Sequence, residues 1–156
     1  MIEIDIPGFR KLRIAHIVSD YNGTLALDGK LLPGVHEAIE ALSSEVQIHV
    51  ITADTFGLAA GQLASLPVRL TITPAGSQAE AKLKFVSDLG AETVVAIGNG
   101  RNDRKMLGAA AIGIALVQKE GASAETVASA DVVSPGILDA LDLLRNPKRL
   151  IATLRS

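Results

Sequence analysis

The stretch 14-IAHIVSDYNGTL-25 joins an apolar run to an acid at the point where the run ends. The run 14-IAHIV-18 has little polar alternation, which is the signature of a strand buried on both faces of a parallel sheet. Asp20 stands just beyond it, with Asn22 two residues on and Gly23-Thr24 completing a turn. In an open parallel sheet ligands bind outside the carboxyl ends of the strands. The residues after each strand are therefore where function is to be sought.

Working outward, the first strand spans 12-LRIAHIV-18, and short runs of similar character recur at 46-VQIHVI-51, 68-VRLTI-72, 93-TVVAI-97, 112-IGIAL-116 and 131-DVV-133. Helical patterns fall between them, at about 34–44, 56–65, 77–89, 102–110, 122–129 and 135–145, with a last helix after Pro147. Strands alternating with helices predict right-handed βαβ crossovers. The fold class is α/β: a three-layer α/β/α, Rossmann-like parallel sheet. The opening segment, 1-MIEIDIPGFRKL-12, reads as an extra strand turning at Pro7-Gly8 into the first parallel one. With no repeat, low-complexity tract or linker, residues 1–156 read as one domain.

Composition removes several classes of function. The chain has 156 residues, is 48% hydrophobic and 21% charged, and carries a net charge of -2. Aromatics make up only 3% and the basic residues are scattered, which argues against nucleic acid as a partner. The absence of Cys removes disulfides and thiolate metal sites and fits a reducing compartment. The longest apolar run, 109-AAAIGIALV-117, is too short to span a membrane. The N-terminus has no signal-peptide pattern. The expectation is a soluble cytoplasmic protein with no membrane partner.

Three strand ends carry polar, glycine-bearing turns: Ser19 to Thr24, Thr52-Ala53-Asp54, and 98-GNGRND-103. Asp20 and Asp103 would converge there, with Asn22, Asn99 and Asn102 between them. Carboxylates with amide and carbonyl oxygens suit Mg2+, which takes one or two carboxylates plus phosphate and water. Thr52 and turn amides could hold an anion, and Lys82 or Lys84 could neutralise it. Metal, carboxylate, hydroxyl and lysine around an anion describe phosphoryl transfer. Read singly, Asp20 is a turn acid, Asp103 a helix cap and Lys82 a solvated lysine; it is their order along the chain that raises them together. Asp54 reads as a cap or a solvent-facing acid, and His16 and His49 as core or edge histidines.

The segment 20-DYNGTL-25 resembles the first motif of the haloacid-dehalogenase-like hydrolases, usually Asp-x-Asp-Gly-Thr. Ile51-Thr52 is similar to their second motif, 82-KLKFVSDLG-90 to their lysine motif, and 98-GNGRND-103 to their Gly-Asp-Gly-x-Asn-Asp turn. The tail 106-MLGAAAIGIALVQKEGASAETVASADVV-133 most resembles the phosphorylation domain of P-type ATPases. The resemblance implies that Asp20 is a nucleophile forming an aspartyl-phosphate and binding Mg2+ through its other oxygen. It implies that the Asn22 carbonyl, Asn99 and Asp103 surround the metal, that Thr52 binds the phosphoryl group, and that Lys82 pairs with Asp20. Lys82 is preferred to Lys84 because Val86 and Leu89 then fall at the apolar spacings of the P-type motif.

Two departures shape the expectation. Asn22 stands where the family's phosphatases carry their general acid, and Asn99 stands in place of the first acid of the fourth motif. The intervals from Thr24 to Thr52 and from Thr52 to Lys82 are too short for a cap domain. The expected activity is slow, Mg2+-dependent hydrolysis of a small phosphorylated substrate or a phosphoprotein. The alternative is a weakly catalytic or non-catalytic phosphate-sensing module on the same fold. An uncapped site predicts a homo-oligomer with its interface near 25-LALDGKLL-32, whose four leucines would be exposed.

Overall fold

Alternation decides the first element. Ile2, Ile4 and Ile6 point inward while Glu3 and Asp5 face solvent, and β1 (Ile2–Ile6) pairs antiparallel with β2 (Arg10–Ile14). Across this hairpin Glu3 meets Arg13 at 3.4 Å and Asp5 meets Lys11 at 3.9 Å. The hairpin forms its own two-stranded sheet, so the reading of 12–18 as one strand is corrected. The chain turns at Ala15, whose amide donates to the Thr93 carbonyl and whose carbonyl accepts from Gln47. Only then does β3 (His16–Ser19) enter the main sheet. The sequence conceals this change of partner, because only Ala15 separates the exposed-and-buried alternation of β2 from the buried β3.

The computed structural model describes residues 1–156. After β3 comes a two-residue hairpin of β4 (Ala26–Leu27) and β5 (Lys30–Leu31). Its turn is Asp28-Gly29, both at positive φ, as tight hairpin turns require. Then follow α1 (Val35–Leu42), β6 (Gln47–Thr52), α2 (Ala59–Leu63), β7 (Val68–Ile72) and α3 (Gln78–Leu89). The remainder is β8 (Val94–Gly98), α4 (Arg104–Ala109), β9 (Ile112–Leu116), α5 (Ala124–Ser129), β10 (Val132–Ser134), α6 (Ile137–Arg145) and α7 (Pro147–Leu154). Val35, Ala38, Ile39 and Leu42 form the buried stripe of α1, at helical spacing.

The main sheet is wholly parallel, in the order β10-β9-β8-β3-β6-β7. Every residue of β8 and β9 is buried. One face packs on α1, α2, α6 and α7 together with the β1–β2 hairpin, and the other on α3, α4 and α5. This is a three-layer α/β/α fold. From β3 the chain winds outward to β6 and β7, then returns across the sheet to β8 and winds outward to β10. The loops after β3 and β8 therefore leave in opposite directions, opening a crevice between them.

The leucines of 25–32 are placed otherwise than the sequence suggested. Leu25 is buried, and Leu31 and Leu32 pack against the main core. The large apolar side chains exposed in the loop after β6 are Phe56 and Leu58. No helix is long and apolar enough to cross a membrane.

Candidate active site

At the crevice the β3–β8 pairing runs one residue past β3, the Asp20 amide donating to the Ile97 carbonyl at 3.0 Å. The chain then reverses tightly: the amides of Thr24, Leu25 and Ala26 all donate to the Tyr21 carbonyl, at 2.9 to 3.1 Å. Gly23 sits in this turn at φ +79°, and a Cβ there would lie 2.6 Å from the Asn99 amide nitrogen. Positive φ and the close approach of Asn99 both require glycine. The Tyr21 hydroxyl donates to the Gly29 carbonyl, tying the turn to the β4–β5 hairpin.

Lys82 reaches this turn from the second turn of α3, with only 1% of its surface exposed. Its Nζ donates to Asp20 Oδ1 at 3.0 Å, Asp103 Oδ1 at 2.8 Å and Asn102 Oδ1 at 3.3 Å. An ammonium has three donors, and all three are used. Lys84 lies on the outer side of α3, paired with Asp88 at 2.7 Å. Burial alone would lower the Lys82 pKa, but the carboxylates of Asp20 and Asp103 outweigh it and hold the group charged.

Asp103 lies at the expected edge and is held there by protein donors. Its Oδ1 takes Lys82, and its Oδ2 accepts the amides of Asn99 and Gly100, both at 3.0 Å. Gly98 leaves the room for this, since a Cβ there would stand 2.4 Å from the Asp103 carboxyl carbon. Both oxygens accept protein donors, so Asp103 fastens the turn and the lysine. Burial, together with the Asp20 charge, pushes its pKa up to about 7, while Lys82 and the Gly100 amide pull it down. One ammonium shared between two acids leaves this cluster with surplus negative charge when both are ionised.

Three other oxygens have one donor proton between them. The Thr24 hydroxyl lies 3.4 Å from both Asp20 Oδ2 and Asn99 Oδ1, and its single proton can serve only one of them. Asn99 Nδ2 donates to the Gly121 carbonyl, which fixes which end of that amide is oxygen. Asn22 Oδ1 is buried with no partner. One carboxylate oxygen and neutral oxygens short of donors fit Mg2+, which fills its octahedron with phosphate and water.

On the far side, Thr52 is buried at the end of β6, and its Oγ1 accepts the Asp54 amide at 2.9 Å, leaving its own proton to donate. Asp54 Oδ1 in turn accepts the amides of Leu58 and Ala59 at the start of α2. Three further residues belong to this edge. Thr24 is described above. The Thr73 hydroxyl is buried without a partner beside Thr52. Gln118 donates to the carbonyls of Gly23 and Thr24 at 3.1 and 3.0 Å. Thr73 and Gln118 follow the ends of β7 and β9, so the strand-end rule applied to every strand would have found them. His16 opens β3 and bonds to His49 at 3.1 Å, away from this edge. His36 pairs with Glu40 on the surface.

No family model matches the chain. An uncharacterized protein of Methanocaldococcus jannaschii is 46% identical over 84 residues, covering 51% of this chain and 90% of that protein. The chain belongs to one family with it. A HAD family hydrolase of Streptomyces avermitilis superposes with a TM-score of 0.65 at 19% identity, over 91% of this chain and 84% of that one. The fold is haloacid-dehalogenase-like, without a cap. The 3-deoxy-D-manno-octulosonate 8-phosphate phosphatase of Moraxella catarrhalis, in complex with magnesium ion, phosphate ion and KDO, superposes with a TM-score of 0.70 at 18% identity. That match covers 91% of this haloacid-dehalogenase-like chain and 94% of the phosphatase. A zinc-transporting PIB-type ATPase gives 0.59 at 26% identity, over 78% of this chain and 20% of the ATPase.

Proposed function

We propose that the chain is a Mg2+-dependent phosphomonoester hydrolase acting through an aspartyl-phosphate on Asp20. The observation that carries this is the buried Lys82, held 3.0 Å from Asp20 Oδ1 at the crevice where a phosphate would enter. The magnesium and phosphate ions in the Moraxella phosphatase structure support it.

Asp20 Oδ1, oriented by Lys82, attacks phosphorus, and the bond from phosphorus to the ester oxygen breaks. The leaving oxygen takes its proton from solvent, because Asn22 has no acidic proton. Thr52 and Thr73 donate to the phosphoryl oxygens, and Lys82 neutralises the charge that accumulates there. Water then attacks phosphorus, the bond to Asp20 breaks, and inorganic phosphate leaves. Asn22 orients this water without accepting its proton. When bound, Mg2+ supplies positive charge against the phosphoryl oxygens; Asp20 Oδ2, the Asn22 backbone carbonyl and Asn99 Oδ1 would hold it. The uncapped edge leaves room for a small phosphorylated molecule or a phosphorylated protein side chain.

Acid-quench trapping with a phosphorus-labelled substrate tests the proposal. Wild type with Mg2+ should retain label stable to acid and released by hydroxylamine, and Asp20→Asn should retain none. The amides at 22 and 99 favour a second reading, a phosphate-sensing module that binds without turnover. Phosphate binding with no trapped label in wild type would establish that reading instead.

A further inference from the structure

Asn99 is neutral and both Asp103 oxygens accept protein donors, so Asp20 is the acid at this edge with an oxygen short of donors. The loop after β9 supplies another. Its first end is fastened by Gln118, which also accepts the Ile137 amide through Oε1 at 3.0 Å. Its far end is fastened to the β8 turn: the Gly121 carbonyl accepts Asn99 Nδ2 at 3.1 Å, and the Ser123 amide donates to the Asn99 carbonyl at 2.9 Å. Between these anchors the Gly121 amide closes a turn onto the Gln118 carbonyl, with Gly121 at φ +72°. Glu120 is carried by that turn.

One oxygen of the Glu120 carboxylate lies against the Gly23 turn. The point where a Cβ on Gly23 would stand lies 2.8 Å from Glu120 Oε1 and 2.9 Å from Asn99 Oδ1. Glu120 makes no ion pair, although Lys119 adjoins it in sequence, and neither oxygen accepts a hydrogen bond within the protein. Asn99 Oδ1, in a residue only 5% exposed, shares one hydroxyl proton with Asp20 Oδ2. Asn22 Oδ1 is buried with no donor at all. Asn99 Oδ1, short of a donor, and the unpaired Glu120 carboxylate therefore approach the same point of the Gly23 turn.

We propose that Glu120 supplies the second carboxylate of the divalent-cation site, from the loop after β9, in place of the acid missing at position 99. The inference rests on the Mg2+-dependent reading above. It assigns Glu120 as a metal-binding residue, reaching the ion directly or through one of its waters, as the hydration habit of Mg2+ allows.

Calorimetric titration of Mg2+ into the purified chain, with Mn2+ binding followed by electron paramagnetic resonance, tests it. Glu120→Gln should weaken both ions by about tenfold, the order expected for losing one charge beside a divalent ion in a partly wetted site. Lys119→Gln, which changes charge at the neighbouring position, should not weaken them. Adding Asn99→Asp to Glu120→Gln should restore the affinity. Glu120 is exposed, so an unchanged thermal midpoint will show that Glu120→Gln folds. Equal affinity in Glu120→Gln and wild type overturns this inference while leaving the Asp20 site standing. Failure of wild type to bind either ion overturns the Mg2+-dependent reading itself, and this inference with it.

Discussion

In the mechanism proposed above, Asp20 and Asn22 divide the chemistry at the residue scale. Asp20→Asn removes the attacking oxygen at nearly constant volume, so phosphate release should fall to background while the far-UV spectrum stays unchanged. A general acid–base group is worth about 10²–10⁴ in rate. Asn22→Asp should accordingly raise turnover at least about tenfold with Mg2+ saturating, a cautious share of that range. Stopped-flow dephosphorylation of the pair decides whether Asn22 sets the rate; an unchanged Asn22→Asp rate rejects it. Lys82→Met leaves Asp20 and Asp103 facing each other without a counter-charge. Stripping one partner from a buried ion pair costs about 3–5 kcal/mol. Urea unfolding should show a loss of that order, partly recovered by adding Asp103→Asn. Asp20 and Lys82 were legible in the sequence because residue type and place after a strand or on a helix sufficed. The task of Asp103 was not. Sequence names a carboxylate but cannot say that both its oxygens are claimed by Lys82 and two turn amides.

Elements were legible where their apolar pattern was long, and less so where a partner changed. The stripe on α1 and the five buried residues of β8 announce themselves. The break at Ala15 and the β4–β5 hairpin do not, since only Ala15 separates β2 from β3 and the hairpin is two residues deep on each side. Asp28-Gly29 was the available signal for the hairpin. Between β3 and β6, His49 is buried against His16, Arg69 and the edge of the Phe85 ring. Burial, then the charges of His16 and Arg69, lowers the His49 pKa from 6.5 to about 4. A base with a depressed folded-state pKa contributes stability present above its unfolded pKa and lost as pH falls through the folded one. The His49 contribution to the urea midpoint should therefore be lost between about pH 6.5 and 4. Asp103 sets an opposite trend, since its raised pKa favours the fold as pH falls, and His49→Gln should remove the His49 loss. Identical acid limbs would show that His49 does not couple protonation to folding.

At the scale of the whole molecule, the intervals between the site segments hold only a hairpin, α1, α2 and single strands. No domain closes over Asp20. Where lid opening or product release limits an enzyme, turnover falls as solvent viscosity rises. Here phosphoenzyme breakdown should limit instead, so kcat should be insensitive to added sucrose at constant Mg2+. A kcat that falls in proportion to viscosity would point to a moving part that the fold does not display.

The single return of the chain across the sheet also makes this a molecule of two complementary pieces. Asp20, Asn22 and Thr52 precede the exposed segment 74–77, whereas Lys82, Asn99 and Asp103 follow it. The first piece carries β3, β6 and β7 and the second β8, β9 and β10, so the two share one long seam where β3 lies against β8. Neither piece holds both Asp20 and Lys82. Residues 1–75 and 76–156, expressed together as separate chains, should reassemble along that seam and recover phosphate release. Each alone should be silent, so the reaction would report that the halves had met.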